Sequence, residues 1–164
     1  MGGTLIAYFT KTGTTREIAL EIEKTLREAG ADARAVPLSE VSGFEGIEAV
    51  VLGAPINGMR WVPEAAAFVR ANRDALRAVP VAVFAVSYMH GAARPKWNRA
   101  IEKSLRTEAE TAGARTSTVF AGRVGSPLPG FARFIFGVPQ DLPADRVDRA
   151  AVRAWARGLP GVFG

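Results

Sequence analysis

The chain has 164 residues, of which 48% are hydrophobic and 23% charged, a balance that fits one globular domain with a sizeable core. It has no cysteine and a single histidine, His90, which excludes disulfides and thiolate nucleophiles and leaves a zinc site or a Ser-His-Asp triad without support. No apolar run approaches the ~18–20 residues of a membrane span. We therefore expect residues 1–164 to form one cytoplasmic domain without a metal site.

The net charge of +5 arises in the second half of the chain. Residues 1–82 carry 9 Lys/Arg against 10 Asp/Glu, whereas residues 83–164 carry 12 against 6. This balance suits an acidic partner protein, an anionic membrane surface or nucleic acid. The basic residues are dispersed and no nucleic-acid-binding motif is present, so we expect no nucleic-acid partner. A solvated, arginine-rich surface is the simplest explanation.

Strands and helices alternate along the chain. The apolar run 5–9 predicts a first strand, and Ile18, Ile22 and Leu26 predict an amphipathic helix after it. Further strands are predicted at 32–36, 49–53, 81–86 and 116–120, and further helices at 63–76, from Trp97 to about Gly113, and around Val147, Ala151 and Trp155. Five such units predict an α/β, three-layer sandwich around a five-stranded parallel sheet, for which the order 2-1-3-4-5 is a common solution.

The loop between the first strand and the first helix is rich in hydroxyl groups. It consists of Thr10, Lys11, Thr12, Gly13, Thr14 and Thr15. Free N–H groups at a helix N-terminus attract anions, threonines add donors, and glycine allows close backbone approach. The glycine patterns of nucleotide P-loops and dinucleotide-binding loops are missing, so a terminal monophosphate fits best. A plain helix cap is the alternative, but the loop lies at the predicted switch point of the sheet, where ligands bind.

Two further loops follow the third and fourth predicted strands and open on the same edge. The first contains Pro55, Ile56, Asn57, Gly58, Met59 and Trp61, and the second contains Ser87, Tyr88, Met89, His90 and Gly91. Their aromatic and soft side chains suit a flat aromatic ligand. Alternatively, Trp61 and Tyr88 only cover the ends of the sheet. The ends of strands 1 and 3 carry no carboxylate, which excludes a phosphorelay receiver.

Thr10, Thr12, Gly13 and Thr15 match the pattern Thr/Ser-x-Thr-Gly-x-Thr, and through them the chain resembles the flavodoxin family over essentially its whole length. The resemblance implies a flavodoxin-like fold and an FMN cofactor. It places the phosphate at the threonine loop and the isoalloxazine between the other two loops. It also implies that the peptide at Gly58 turns to hydrogen-bond flavin N5.

Within that family, the nearest likeness is to the group that includes the bacterial menaquinone-dependent protoporphyrinogen oxidases. It rests on residues 5–19, 53–56 and 121–123. It implies an FMN oxidoreductase that works between a small organic donor and a quinone, with Tyr88 and His90 as candidates for substrate contact. An electron carrier that docks a redox partner protein is the alternative, and a flavin-free scaffold is a third class.

Two departures from a common flavodoxin carry further expectations. The two flavin-side loops lack Asp and Glu, whereas Lys11, Arg60, Arg94 and His90 lie near them in sequence, which favours two-electron flavin chemistry. The segment 122–139 is also too long for a simple connection. Its Phe131, Phe134, Ile135 and Phe136 suit a lid over the flavin, a peripheral contact of residues 123–138 with the inner face of the membrane, a homodimer interface, or packing on the sheet.

Overall fold

A computed structural model of the chain describes residues 2–126 and 128–164, so that Pro127 of the long segment lies outside the described residues. The strands are β1 (Gly3–Tyr8), β2 (Ala33–Pro37), β3 (Ile47–Asn57), β4 (Arg60–Trp61), β5 (Val81–Ser87) and β6 (Thr116–Ala121). The helices are α1 (Thr14–Glu28), α2 (Pro63–Ala71), α3 (Arg73–Arg77), α4 (Pro95–Ala112), α5 (Gly130–Phe136) and α6 (Arg149–Phe163), with a 3-10 turn at Leu38–Glu40.

Five strands form a parallel sheet in the order β2-β1-β3-β5-β6, and β4 pairs with β3 outside that path. In this sheet Leu5 lies opposite Val50, and Leu52 lies opposite Val83. The predicted order 2-1-3-4-5 of the parallel strands is therefore confirmed, with the short antiparallel β4 as an addition. Within the described chain, no helix is long and apolar enough to cross a membrane.

Both faces of the sheet are buried. Neighbouring residues of a strand point to opposite faces, so Val50 and Leu52 belong to one hydrophobic cluster and Val51 to the other. The first cluster is closed by α2, α3 and α4 and the second by α1 and α6. Burial on both faces explains why β5 is apolar along almost its whole length, and it gives the predicted three-layer sandwich.

The predicted helix 63–76 is interrupted at Asn72, which separates α2 from α3. The side-chain amide and the backbone N–H of Asn72 both donate to the carbonyl of Phe68, at 2.9 and 3.0 Å. The apolar periodicity continues to Leu76 and hides this break. The last helix also begins later than predicted, because Asp148 caps it by accepting the N–H of Ala151.

Gly53 provides a stability test of the sheet, because the ring of Phe84 lies directly against it. A Cβ at Gly53 would lie 1.9 Å from Phe84 Cζ, so Gly53→Ala forces this core to shift. We expect the substitution to lower the free energy of unfolding by about 1–3 kcal/mol, measured by urea denaturation.

The matched control is Gly158→Ala, an exposed helix position at which a new Cβ meets nothing within 4 Å. It should raise the free energy of unfolding by about 0.5–1 kcal/mol because alanine favours the helix. Equal stability of Gly53→Ala and the wild type would contradict the packing described for β3 and β5.

Candidate functional site

The three predicted loops meet at one edge of the sheet. They follow β1, β3 and β5, which are adjacent and parallel, so their carboxyl ends lie side by side. The N–H of Phe9, at the start of the first loop, donates to the carbonyl of Gly53 in β3 at 2.9 Å. The edge is therefore a continuous surface to which all three loops contribute.

Gly13 shapes the entrance of the threonine loop into α1. Its φ of 96° lies in the left-handed region, and its N–H donates to Thr10 Oγ1 at 2.9 Å. The first backbone hydrogen bond of the helix runs from the N–H of Glu17 to the carbonyl of Gly13, at 3.0 Å. The N–H groups of residues 14–16 precede that bond and form the free, positive end of the helix.

The hydroxyls of this loop are divided between its rim and its base. Lys11, Thr12 and Gly13 are exposed, whereas Thr14 and Thr15 are 7% and 2% exposed. Among the hydrogen bonds within the described residues, none involves the hydroxyl of Thr12, Thr14 or Thr15. The loop thus brings unpaired hydroxyl groups and free N–H groups to one place, which is the donor set of an anion site.

The second loop is a hairpin, because β3 continues to Asn57 and returns as β4. Ile56 pairs with Trp61 and Asn57 with Arg60, around a tip in which Gly58 has φ 58° and Met59 has φ 64°. Positive φ at both central residues defines a type I′ turn, which suits the twist of a hairpin. Among the described residues, Met59 is the one non-glycine with positive φ, so the tip is strained at the edge of the site.

Trp61 is buried at the end of the sheet. It is 4% exposed, its Nε1 donates to the carbonyl of Ala54 at 3.1 Å, and it packs in the cluster beneath α2 and α4. The hairpin turns it inward because Trp61 pairs with Ile56 on β3. Trp61 covers the end of the sheet, while Ile56 and Met59 are the half-buried side chains of this wall, and the contact of Trp61 with a ligand stays a prediction.

The third loop is held from two sides. The hydroxyl of Tyr88 donates to the carbonyl of Pro143 at 2.8 Å, and Arg146 donates to the carbonyls of Tyr88 and His90. Gly91 donates its N–H to Asn98 Oδ1 at 3.1 Å, at the start of α4. Tyr88, Met89 and His90 remain half-buried at the edge, and Ser87 is buried at the end of β5.

The cations that lie near the loops in sequence are spread apart in the structure. Lys11 is exposed on the threonine loop, whereas Arg60 lines a groove against α4. His90 bonds Glu102 through Nε2 at 2.8 Å, and Arg94 lies over the ring of Phe134. Of these four cations, Lys11 lies on the threonine loop, whereas His90 and Arg94 are engaged with Glu102 and Phe134. In the described part of the chain, no group of His, Asp and Glu side chains is placed to hold a metal ion.

The segment 122–146 is closed at its base. The N–H of Val124 donates to the carbonyl of Ala144 at 3.0 Å, and the N–H of Arg146 donates to the carbonyl of Gly122 at 3.1 Å. Helix α5 lies between these two ends. The described residues of this segment thus form a loop with a short helix, and its base also supplies the contacts that hold Tyr88.

Arg123 connects the base of this segment to the first turn of α1. Its guanidinium bonds Glu17 Oε2 and Asp145 Oδ2, each at 2.9 Å, and Arg149 bonds Glu17 as well. The hydrogen bond from Arg123 lowers the pKa of Glu17, and the backbone N–H of Val147 together with Arg123 lowers the pKa of Asp145. These pairs offset the charge of Glu17, which would otherwise repel an anion at the threonine loop. They join residues far apart in sequence, so sequence reasoning missed them.

Comparisons with known proteins agree with this geometry. The sequence model of the flavodoxin domain family matches residues 5–137. The Streptococcus pneumoniae TIGR4 flavodoxin is 17% identical, with a TM-score of 0.60 and coverage of 96% of this chain and 97% of that one. A Fusobacterium nucleatum flavodoxin bound to flavin mononucleotide is 17% identical, with a TM-score of 0.52 and full coverage of both chains.

An NADH:FMN oxidoreductase in its apo form is 12% identical, with a TM-score of 0.61 and coverage of 100% of this chain and 91% of that one. At these identities the structural likeness shows the fold alone. No curated protein matches the chain.

The ion pairs of Arg123 predict a pH-dependent stability. The folded state lowers the pKa values of Glu17 and Asp145. The two carboxylates therefore raise the free energy of unfolding at neutral pH, and this stabilisation is lost as the pH falls through their pKa values in the folded state. We expect Arg123→Gln to lower the melting temperature at pH 6–8, and the difference from the wild type to shrink below about pH 4.

Arg16→Gln is the control. It also removes one positive charge, but from an exposed residue of α1 that lies next to Glu17 in sequence. The difference in melting temperature between Arg16→Gln and the wild type should change little with pH. A difference between wild type and Arg123→Gln that stays constant down to about pH 3 would show that these pairs do not stabilise the fold.

Proposed function

This chain belongs to the flavodoxin domain family, and on that premise we propose that it binds FMN at the carboxyl edge of its sheet and transfers electrons through it. The observation that carries the proposal is the threonine loop. Its left-handed Gly13, the hydroxyls of Thr12 and Thr15, which have no partner among the described residues, and the free N–H groups of α1 form an anion site where a parallel sheet of this order binds ligands.

The residues of the loop fit a phosphate group. A Cβ at Gly13 would meet nothing within 4 Å, so the space above this residue is open to an anion. Thr10 Oγ1 fixes the backbone of Gly13, while Thr12 and Lys11 are free on the rim. Thr10 therefore orients the loop, and Thr12, Thr15 and the N–H groups of residues 14–16 would donate to the phosphate.

The other two loops would hold the ring system. Ile56 and Met59 offer apolar contact from the hairpin, and Tyr88 and Met89 offer it from the third loop. The positive φ of Gly58 leaves its peptide free to face the edge. FMN, when bound, supplies hydride or electron transfer, so the tasks of the protein are to bind the ring, shield it from water and set its potential.

The chain is best explained as an oxidoreductase that performs two-electron chemistry with a small organic donor or a quinone. Residues 10–15, 54–61 and 87–93 contain no Asp or Glu, so no carboxylate of these loops opposes the reduced, anionic flavin. Lys11 adds a positive charge to the same edge. The likeness to protoporphyrinogen oxidases stays a prediction.

An electron carrier is the second candidate function. The basic second half of the chain, with 12 Lys/Arg against 6 Asp/Glu in residues 83–164, would attract an acidic redox partner protein. A carrier of this kind needs no substrate pocket of its own. The two functions differ in how the flavin accepts its two electrons.

A double substitution tests the phosphate site. Thr12→Val with Thr15→Val keeps side-chain volume but removes two donors, and each lost bond to a charged group costs about 1.5 kcal/mol or more. We therefore expect FMN affinity, measured by quenching of flavin fluorescence, to fall by well over tenfold.

Thr25→Val is the matched control, because Thr25 lies on the same helix and is 2% exposed, as Thr15 is. Thr25 bonds the carbonyl of Glu21, far from the loop, so its loss should affect stability and leave FMN affinity unchanged. An unaltered affinity in the double variant would mean that the loop does not bind the phosphate.

Photoreduction with spectroscopic titration separates the oxidoreductase from the carrier. With no carboxylate in the three loops, we expect the second electron to enter at nearly the same potential as the first, so that little one-electron-reduced protein accumulates. Strong accumulation with a very low second potential would favour the carrier.

A further inference from the structure

Helix α5 exposes its apolar side chains and turns its arginine inward. Phe131, Phe134 and Ile135 are 72%, 77% and 48% exposed, and their spacing places them on one side of the helix. Arg133 faces the loop beneath, where its Nη1 donates to the carbonyl of Gln140 at 3.1 Å. Its Nε is buried without a partner among the described residues. This arrangement is the reverse of an ordinary surface helix.

The orientation of α5 is fixed by contacts with the start of α4. The ring of Phe136 packs edge-to-face on Trp97 at 5.3 Å, and Trp97 Nε1 donates to the carbonyl of Ile135 at 3.1 Å. The N–H of Arg94 donates to the carbonyl of Phe136 at 2.8 Å, and Gly137 ends the helix with φ 70°. The exposure of the phenylalanines therefore belongs to a specifically packed structure.

Positive charge surrounds the exposed face. The guanidinium carbon of Arg94 lies 5.9 Å from the ring centre of Phe134, and Lys96 Nζ lies 4.8 Å from that of Trp97. Both cations are on exposed residues. Apart from the inward-facing Arg133, the two segments that form this surface, 91–99 and 130–142, contain three basic residues and one acidic residue. Exposed apolar side chains surrounded by basic residues are suited to bind an anionic lipid surface.

We propose that α5 docks the protein on an anionic lipid bilayer. Phe131, Phe134 and Ile135 enter the boundary between headgroups and acyl chains, while Arg94 and Lys96 bind the anionic headgroups. A dimer through this face would bring two basic rims together, which repel each other. The three side chains expose on the order of 400 Å², about half of what a standard protein interface buries on each partner.

The proposed docking surface shares a segment with the candidate FMN site. The base of the segment 122–146 holds Tyr88 through the carbonyl of Pro143 and through Arg146. Docking through α5 would thus bring the third loop to a defined position at the bilayer. The lipid proposal rests on the exposed apolar side chains of α5 and on the positive charges of Arg94 and Lys96, and it does not depend on FMN binding.

Co-sedimentation with vesicles tests the proposal directly. The full chain is mixed at low salt with vesicles of phosphatidylcholine, with and without phosphatidylglycerol. We expect binding to the anionic vesicles that weakens as salt is added. Phe131→Ser with Phe134→Ser should reduce it by about tenfold or more, because the apolar contact is lost.

Two matched controls accompany that variant. Leu20→Ser removes an exposed apolar side chain from α1, on another helix, and should leave vesicle binding unchanged. Arg94→Gln with Lys96→Gln should weaken binding several-fold, whereas Arg70→Gln with Arg73→Gln, on exposed positions of α2 and α3, should not. Circular dichroism and FMN content confirm that each variant is folded and keep this result separate from the flavin proposal.

Several results would overturn the proposal. They are a wild type that fails to bind anionic vesicles at low salt, a Phe131→Ser/Phe134→Ser variant that binds them as well as the wild type, and a concentration-dependent dimer that this variant abolishes. The last result would assign α5 to an interface between copies of the chain.

Discussion

The position of β3 between β1 and β5 determines where every loop of the candidate site lies. All three strands are parallel and in register, with Tyr8 opposite Gly53 and Pro55 opposite Val86, so their carboxyl ends form one edge. Burial of both faces fixes this register, because a shift of one residue would exchange the residues of the two clusters. The core thus positions the threonine loop, the hairpin and the third loop relative to one another before any ligand contributes.

The segment 122–146 connects the two ends of that edge. Through Arg123 it holds Glu17 in the first turn of α1, and through Arg146 it holds the backbone of the third loop. One connection thereby supports both the phosphate side and the ring side of the proposed FMN site. The same segment presents α5 outward, so its unusual length is explained by two tasks: the support of the site and the exposure of an apolar surface.

Local signals made much of this molecule predictable. The apolar runs of the strands and the threonine loop before α1 are recognisable from residues adjacent in sequence. The sheet order follows from the alternation of strands with helices and from the right-handed connections between parallel strands. The hairpin was missed because Gly58-Met59 is an unusual pair for a type I′ turn, and this turn also buries Trp61. The pair of Arg123 with Glu17 joins residues 106 apart, and no periodicity shows such a contact. The outward face of α5 likewise depends on packing against α4.

Comparison of FMN with riboflavin tests whether the threonine loop binds the phosphate of FMN. Riboflavin carries the same ring system without the phosphate, so both ligands meet the same hairpin and third loop. Titration by flavin fluorescence should show FMN binding about 100-fold or more tightly than riboflavin, since several charge-assisted bonds are lost together. Equal affinities would contradict phosphate binding by the loop and would leave it as a helix cap.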